Sequence, residues 1–138
     1  MVIQSQFTSF LKVLVKAKFN EGQVKVLVCG DRKYSNYIRV KQALQAVKPT
    51  LVIEGEAKGA DSLGREAAEY LGIPVMKFPA QWDSYGRAAG PIRNKQMLEE
   101  GKPDLVLAFH TNIESSKGTK NMIKIAKESG VKVILIED

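Results

Sequence analysis

The chain has 138 residues, 44% apolar and 26% charged, which is one domain's length with ordinary globular usage and excludes a disordered tail, a collagen-like fibre and a simple repeat array. One cysteine excludes an internal disulfide framework and a multi-cysteine zinc site, and one histidine excludes a two-histidine metal motif. Net charge is +6, and the whole excess lies in residues 1–58, where ten basic side chains stand against four acidic ones. Such a balance suits a phosphate-bearing ligand or nucleic acid, and equally a merely soluble surface.

Residues 1–22 carry apolar positions at Phe7, Phe10, Leu11 and Val13 to Val15, interrupted by Lys12 and Lys16. No small-residue cleavage site follows, so the segment is a poor signal peptide. No run approaches the roughly eighteen apolar residues of a membrane span. The expectation is a reduced, cytoplasmic protein with no membrane partner. Residues 1–22 read as an amphipathic helix or arm that packs on the domain or touches a second copy.

Residues 24–29 form a β-branched run stopped by Gly30. Over 36–47, Tyr37, Val40, Leu44 and Val47 share one helical face, with Ser35 as N-cap and Pro49 beyond. Residues 50–53 predict a second strand. A helix is expected over 62–71, with Asp61 before it and Gly72 as its stop. Residues 74–78 predict a third strand, and 79–90 a long polar loop. Pro91 opens a helix that runs to about residue 100 and ends at Gly101. Residues 105–109 predict a fourth strand, 119–129 a helix closed by Gly130, and 131–136 a fifth strand.

These strands are short and apolar on both faces, as in a parallel sheet buried between helices. The alternation predicts an α/β fold: a Rossmann-like doubly wound sheet of about five parallel strands flanked by helices, over residues 23–138, with an extra N-terminal arm or helix.

Ligands of such sheets bind beyond the carboxyl ends of the strands. Four loops leave those ends. The first carries Gly30, Asp31, Arg32 and Lys33. The second runs Glu54-Gly55-Glu56-Ala57-Lys58-Gly59-Ala60-Asp61, with glycines that permit close backbone approach. Asp61 either fixes a ribose hydroxyl or caps the helix. Glu54 and Glu56 are either paired carboxylates for acid–base work or solvated loop acids. The third runs Trp82-Asp83-Ser84-Tyr85-Gly86-Arg87 to Arg93-Asn94, where an aromatic beside arginines suits stacking on a base with a clamped phosphate. The fourth runs Ser115-Ser116-Lys117-Gly118-Thr119, small hydroxyls and glycine at a helix start, which suits an anion nest. It lacks Walker A spacing. Arg32, Lys33, Lys58, Arg87, Arg93, Lys95 and Lys117 are expected near one rim. His110 at the end of the fourth strand reads either as a general base or, as is more common for a lone histidine near a loop, as structural or incidental, and Cys29 reads as a buried strand residue. No metal or cofactor is implied.

Together these segments are similar to the YspA-type branch of the SLOG superfamily. The likeness rests on Gly-Asp-Arg after the first strand, Glu-Gly-x-Ala-Lys-Gly-Ala-Asp, Trp-x-x-Tyr-Gly-Arg-Ala-Ala-Gly-Pro-Ile-Arg-Asn, and Ser-Lys-Gly-Thr, and spans about residues 24–137. SLOG domains bind nucleotides or nucleotide-derived ligands. Relatives include the LONELY GUY phosphoribohydrolases and the DNA-processing protein A family, which binds single-stranded DNA. The resemblance implies that Gly55, Lys58, Gly59, Ala60 and Asp61 line the site, that Arg93 and Asn94 reach the ligand, and that Ser116, Gly118 and Thr119 hold phosphate. LONELY GUY enzymes carry Pro-Gly-Gly-x-Gly-Thr-x-x-Glu with a catalytic glutamate. Here Ser115-Ser116 replaces the glycine pair and Met122 stands in the glutamate's place.

The expected function is capture of a nucleotide or nucleotide-derived molecule by a binding module. Arg32, Lys58, Arg93, Ser116, Gly118 and Thr119 would contact phosphate. Trp82 or Tyr85 would flank the base, with Gly30, Arg87 and Lys117 also at the site. One alternative is an N-glycosidic hydrolase using Glu54, Glu56 or Asp61. Another is a single-stranded nucleic-acid binder. The resemblance and the N-terminal arm favour a homodimer.

Overall fold

Helical stripes and apolar runs alternate along the chain, and the architecture follows them. The computed structural model describes residues 4–18 and 23–137. Its elements are α1 (Gln4–Lys18), β1 (Lys25–Gly30), α2 (Tyr37–Val47), β2 (Leu51–Glu54), α3 (Ala60–Tyr70), β3 (Val75–Lys77), α4 (Trp82–Tyr85), α5 (Ala89–Gln96), β4 (Leu105–His110), α6 (Gly118–Glu128) and β5 (Lys132–Glu137). The five strands form one parallel sheet in the order β3-β2-β1-β4-β5. The chain builds outward from β1 to β3, then returns to place β4 on the other side of β1. The strand order therefore reverses between the carboxyl ends of β1 and β4.

Side chains alternate across the sheet. Val26, Val28, Val52, Leu105, Leu107 and Phe109 join a core with α1, α2 and α3. Leu27, Cys29, Ile53, Val106 and Ala108 join a second core with Met97 and, from α6, Met122 and Ala126. The α/β Rossmann-like expectation is met. Within α1, Phe7 and Leu11 are buried in the first of these cores, so the helix shares the domain's interior. Among the described residues no helix is long and apolar enough to cross a membrane.

Local chemistry moved several boundaries. Asn36, not Ser35, caps α2, its Oδ1 accepting from Arg39 N–H at 3.1 Å. Gly59 at φ +74° is the N-cap of α3, so Asp61 lies inside the first turn and caps nothing. A Cβ on Gly59 would collide with the Asp31 carbonyl and the Arg32 backbone. Of the loop expected over 79–90, residues 79–81 are irregular and 82–90 are wound into helical turns: α4, a 3₁₀ turn Gly86–Ala88, and the start of α5. Pro91 is accommodated in the first turn of α5, where a missing N–H breaks no helical bond. The helix continues as a π-helical turn Met97–Gly101. The short turns escaped detection because they are largely exposed and carry no apolar stripe.

Candidate functional site

A cavity of about 610 Å³ opens at the strand reversal. Its floor is made by Cys29, Met97 and Met122. Burial pushes the Cys29 thiol well above its ordinary range, so it is a protonated, unreactive surface of the floor. Around the cavity stand Arg32 and Lys33 after β1, Trp82 and Arg87 from the third connection, and Ser116 to Thr119 at the start of α6.

The wall next to β2 is internally bonded. Arg93 Nη1 donates to the Gly55 carbonyl and, at 3.5 Å, to the Phe78 carbonyl. Its Nε donates to Asn94 Oδ1 at 3.1 Å. A Cβ at Gly55 would displace the guanidinium from this place. Buried Asn94 in turn donates to the Gly118 carbonyl at 3.3 Å and to Asn121 Oδ1 at 3.0 Å, tying α5 to α6. Asp61 is buried, with Oδ2 accepting from Gly55 N–H at 3.1 Å and Ala57 N–H at 3.3 Å. Burial raises its pKa, opposed by the Arg93 charge and those two N–H groups. Burial also draws the Arg93 pKa down.

The rest of the lining is built differently. Arg32, Lys33, Arg87 and Lys117 are exposed cations. The Arg32 guanidinium lies 5.8 Å from the centre of the Trp82 ring. Ser116 Oγ accepts Thr119 N–H at 3.0 Å and shapes the start of α6, whose N-terminus faces the cavity. Near β1, Asp31 accepts from Lys33 N–H at 2.9 Å and Thr111 Oγ1 at 3.2 Å. The Lys33 bond chiefly holds its carboxyl below the ordinary value.

The cavity thus gathers Gly30, Arg32, Asp61, Trp82, Arg87, Arg93, Asn94, Ser116, Lys117, Gly118 and Thr119. Gly55, Lys58, Gly59 and Ala60 shape the adjacent loop but do not line it. Tyr85 and Lys95 line a neighbouring hollow of about 410 Å³, where Lys95 pairs with Glu99 at 3.7 Å. Glu54 and Glu56 also lie outside the lining. Glu54 is no solvated loop acid. It is fully buried, its Oε1 accepts Glu56 N–H at 2.8 Å, and Oε2 has no hydrogen-bond partner. Burial, aided by the Glu56 carboxylate, pushes its pKa up to about 8. Glu56 pairs with Arg65 at 3.3 Å. The sequence reading missed Asn121, and it passed over Asp31 and His110 as lining residues. Asp31 follows a strand end directly, which was the available signal, whereas Asn121 lies within a helix and had none.

Residues 24–85 match the family described as YAcAr: YspA, cpYpsA-related SLOG family. That match agrees with the resemblance carried by the sequence motifs over the same residues. That match covers the first two connections and the start of the third, whereas the start of α6 lies beyond it. The chain is 29% identical over 124 residues to the Gene 61 protein of Mycobacterium phage D29, covering 83% of this chain and 97% of that protein. Its fold is similar to that of DNA processing protein A (DprA) from Streptococcus pneumoniae, with a TM-score of 0.67 over 91% of this chain at 19% identity. The likeness covers 52% of that structure, so this chain spans about half its length.

Proposed function

We propose that this chain, similar over residues 24–85 to the YspA-type SLOG family, binds a nucleotide or nucleotide-derived small molecule in the cavity at the strand reversal, as a binding module. The observation that carries the reading is the pairing of four exposed cations with the α6 N-terminus around one cavity of about 610 Å³. Helix N-termini offer free N–H donors and partial positive charge to phosphate. The volume is that of a small-ligand site. The apolar floor and the Trp82 face suit a base or sugar, and the carboxylates of Asp31 and Asp61 suit sugar hydroxyls. The hydrolase alternative draws less support, since Glu54 and Glu56 lie outside the lining and Met122 occupies the position of the LONELY GUY glutamate.

A thermal-shift screen at fixed protein concentration tests the reading. It uses nucleoside mono- and diphosphates, cyclic nucleotides, ADP-ribose and a short single-stranded oligonucleotide. A ligand at a hundred times its Kd adds about 2.7 kcal/mol of stability. A shift with a mononucleotide or ADP-ribose is expected, and release of free base on incubation would move the reading to the hydrolase. A shift with the oligonucleotide alone, lost as salt rises, would replace the small-molecule reading with nucleic-acid binding.

A further inference from the structure

His110 is the chain's only histidine and the last residue of β4. It is 4% exposed and lines the cavity. Its Nδ1 accepts the backbone N–H of Asn112 at 2.9 Å. A backbone N–H can only donate, so in the neutral ring the proton resides on Nε2. Among the described residues Nε2 has no hydrogen-bond partner, and the residue that carries it lines the cavity. Such an Nε2–H is a donor without a protein acceptor, available to whatever occupies the cavity.

The fold says where that acceptor lies. Val106, Ala108 and His110 alternate onto one face of the sheet. The first two share a core with Ala126 and Met122 of α6. One helical turn before Met122 come Gly118 and Thr119, so His110 stands level with the start of α6. Its Nδ1 side is turned to Asp31, whose Oδ2 is 3.9 Å away. That leaves the Nε2 edge for the ligand. An imidazole whose Nδ1 lone pair is engaged and whose Nε2 carries the proton is a hydrogen-bond donor and not a base. We propose that His110 is a ligand-contacting residue that donates Nε2–H to a phosphoryl oxygen seated at the N-terminus of α6. This rests on the nucleotide-binding reading and adds a contact that the loop motifs do not contain.

A single histidine makes the test direct. The full chain, labelled with ¹⁵N-histidine, gives one imidazole spin system. Its nitrogen shifts are expected to report the Nε2–H tautomer, and inorganic phosphate is expected to move the Nε2 signal. Calorimetric titration with phosphate should then show His110→Asn weakened about three- to tenfold, the loss of one hydrogen bond. Asparagine keeps an acceptor where Nδ1 was but removes the distal donor. His110→Gln, which restores a donor near Nε2, should bind more tightly than His110→Asn. Melting temperatures are measured for both; if His110→Asn is poorly folded, the ¹⁵N shifts and His110→Gln decide. An Nδ1–H tautomer, or wild-type affinity in both variants, overturns the His110 contact while leaving the cavity reading intact. A shift of the Nε2 signal with ribose and none with phosphate overturns the phosphoryl assignment in favour of a sugar hydroxyl. Failure of the wild-type chain to bind any phosphorylated probe overturns the nucleotide-binding reading itself.

Discussion

The two walls of the cavity are made from similar residue types and do different work. On the β2 side, Arg93, Asn94 and Asp61 face mainly the protein: carbonyls of two strand ends, the start of α6, and the amides of the loop after β2. In the other wall, Arg32, Arg87 and Lys117 are exposed. A positive charge beside a cavity is therefore no guide to its role until its hydrogen bonds are followed. The first wall fixes the cavity's shape, and on the proposed reading the second supplies charge to a ligand.

Replacement of Arg93 gives the largest expected effect. Arg93→Ala strips the Gly55 and Phe78 carbonyls of their donor and leaves Asp61 without its nearest offsetting charge. Loss of charged, part-buried hydrogen bonds should cost about 3 kcal/mol in denaturant unfolding. Arg93→Lys should not restore it, because a lysine lacks the fork that reaches two carbonyls and Asn94 together. A loss below about 0.5 kcal/mol, the range of an ordinary surface site, would erase the distinction between the walls.

Glu54 sharpens the contrast through pH. In the folded state it keeps its proton up to about 8, whereas the ordinary value is 4.5. Across that window the native state binds more protons than the unfolded state, so stability falls as pH rises. Burial raises Asp61 as well, and its slope has the same sign. Glu54→Gln should flatten the decline without abolishing it and be more stable than wild type at pH 8 by on the order of 2 kcal/mol. Parallel stability curves for the two proteins from pH 5 to 8 would contradict this assignment.

Lys117→Ala belongs at the small end for stability. The side chain is exposed, so unfolding should move by no more than about 0.5 kcal/mol. Affinity for the phosphorylated ligand found in the thermal-shift screen should fall about tenfold, the loss of a charged contact. If Lys117→Ala instead lowers stability and spares binding, the two walls have been assigned the wrong way round.

Much of this was legible in the chain. The short apolar runs, the glycine stops after α3 and α6, and the glycine- and cation-bearing loops placed the strands and three sides of the cavity. What escaped was set by partners distant in sequence. Asp61 next to a helix start looks like a cap, and only the left-handed Gly59 reveals that the helix begins earlier. Glu54 in a glycine-rich loop looks solvated, yet it is the last residue of a buried strand. Arg93 looks like a clamp for phosphate, and its carbonyl partners lie 38 and 15 residues away. Asn121 is an unremarked polar residue until α5 brings Asn94 against it. Hydrophobic period reports which face is buried and says nothing of which polar group will meet which.

The meeting of Arg32 with Trp82 has an optical consequence. Trp82 is the sole tryptophan, it is 48% exposed, and it stands at the cavity lining beneath a guanidinium. Indole emission depends on nearby charge and on contact with water, and a ligand that draws Arg32 onto its phosphate or stacks on the ring alters both. The chain thus carries its own fluorophore at the mouth of the cavity, and occupancy can be followed without a label, at concentrations and speeds that calorimetry does not reach.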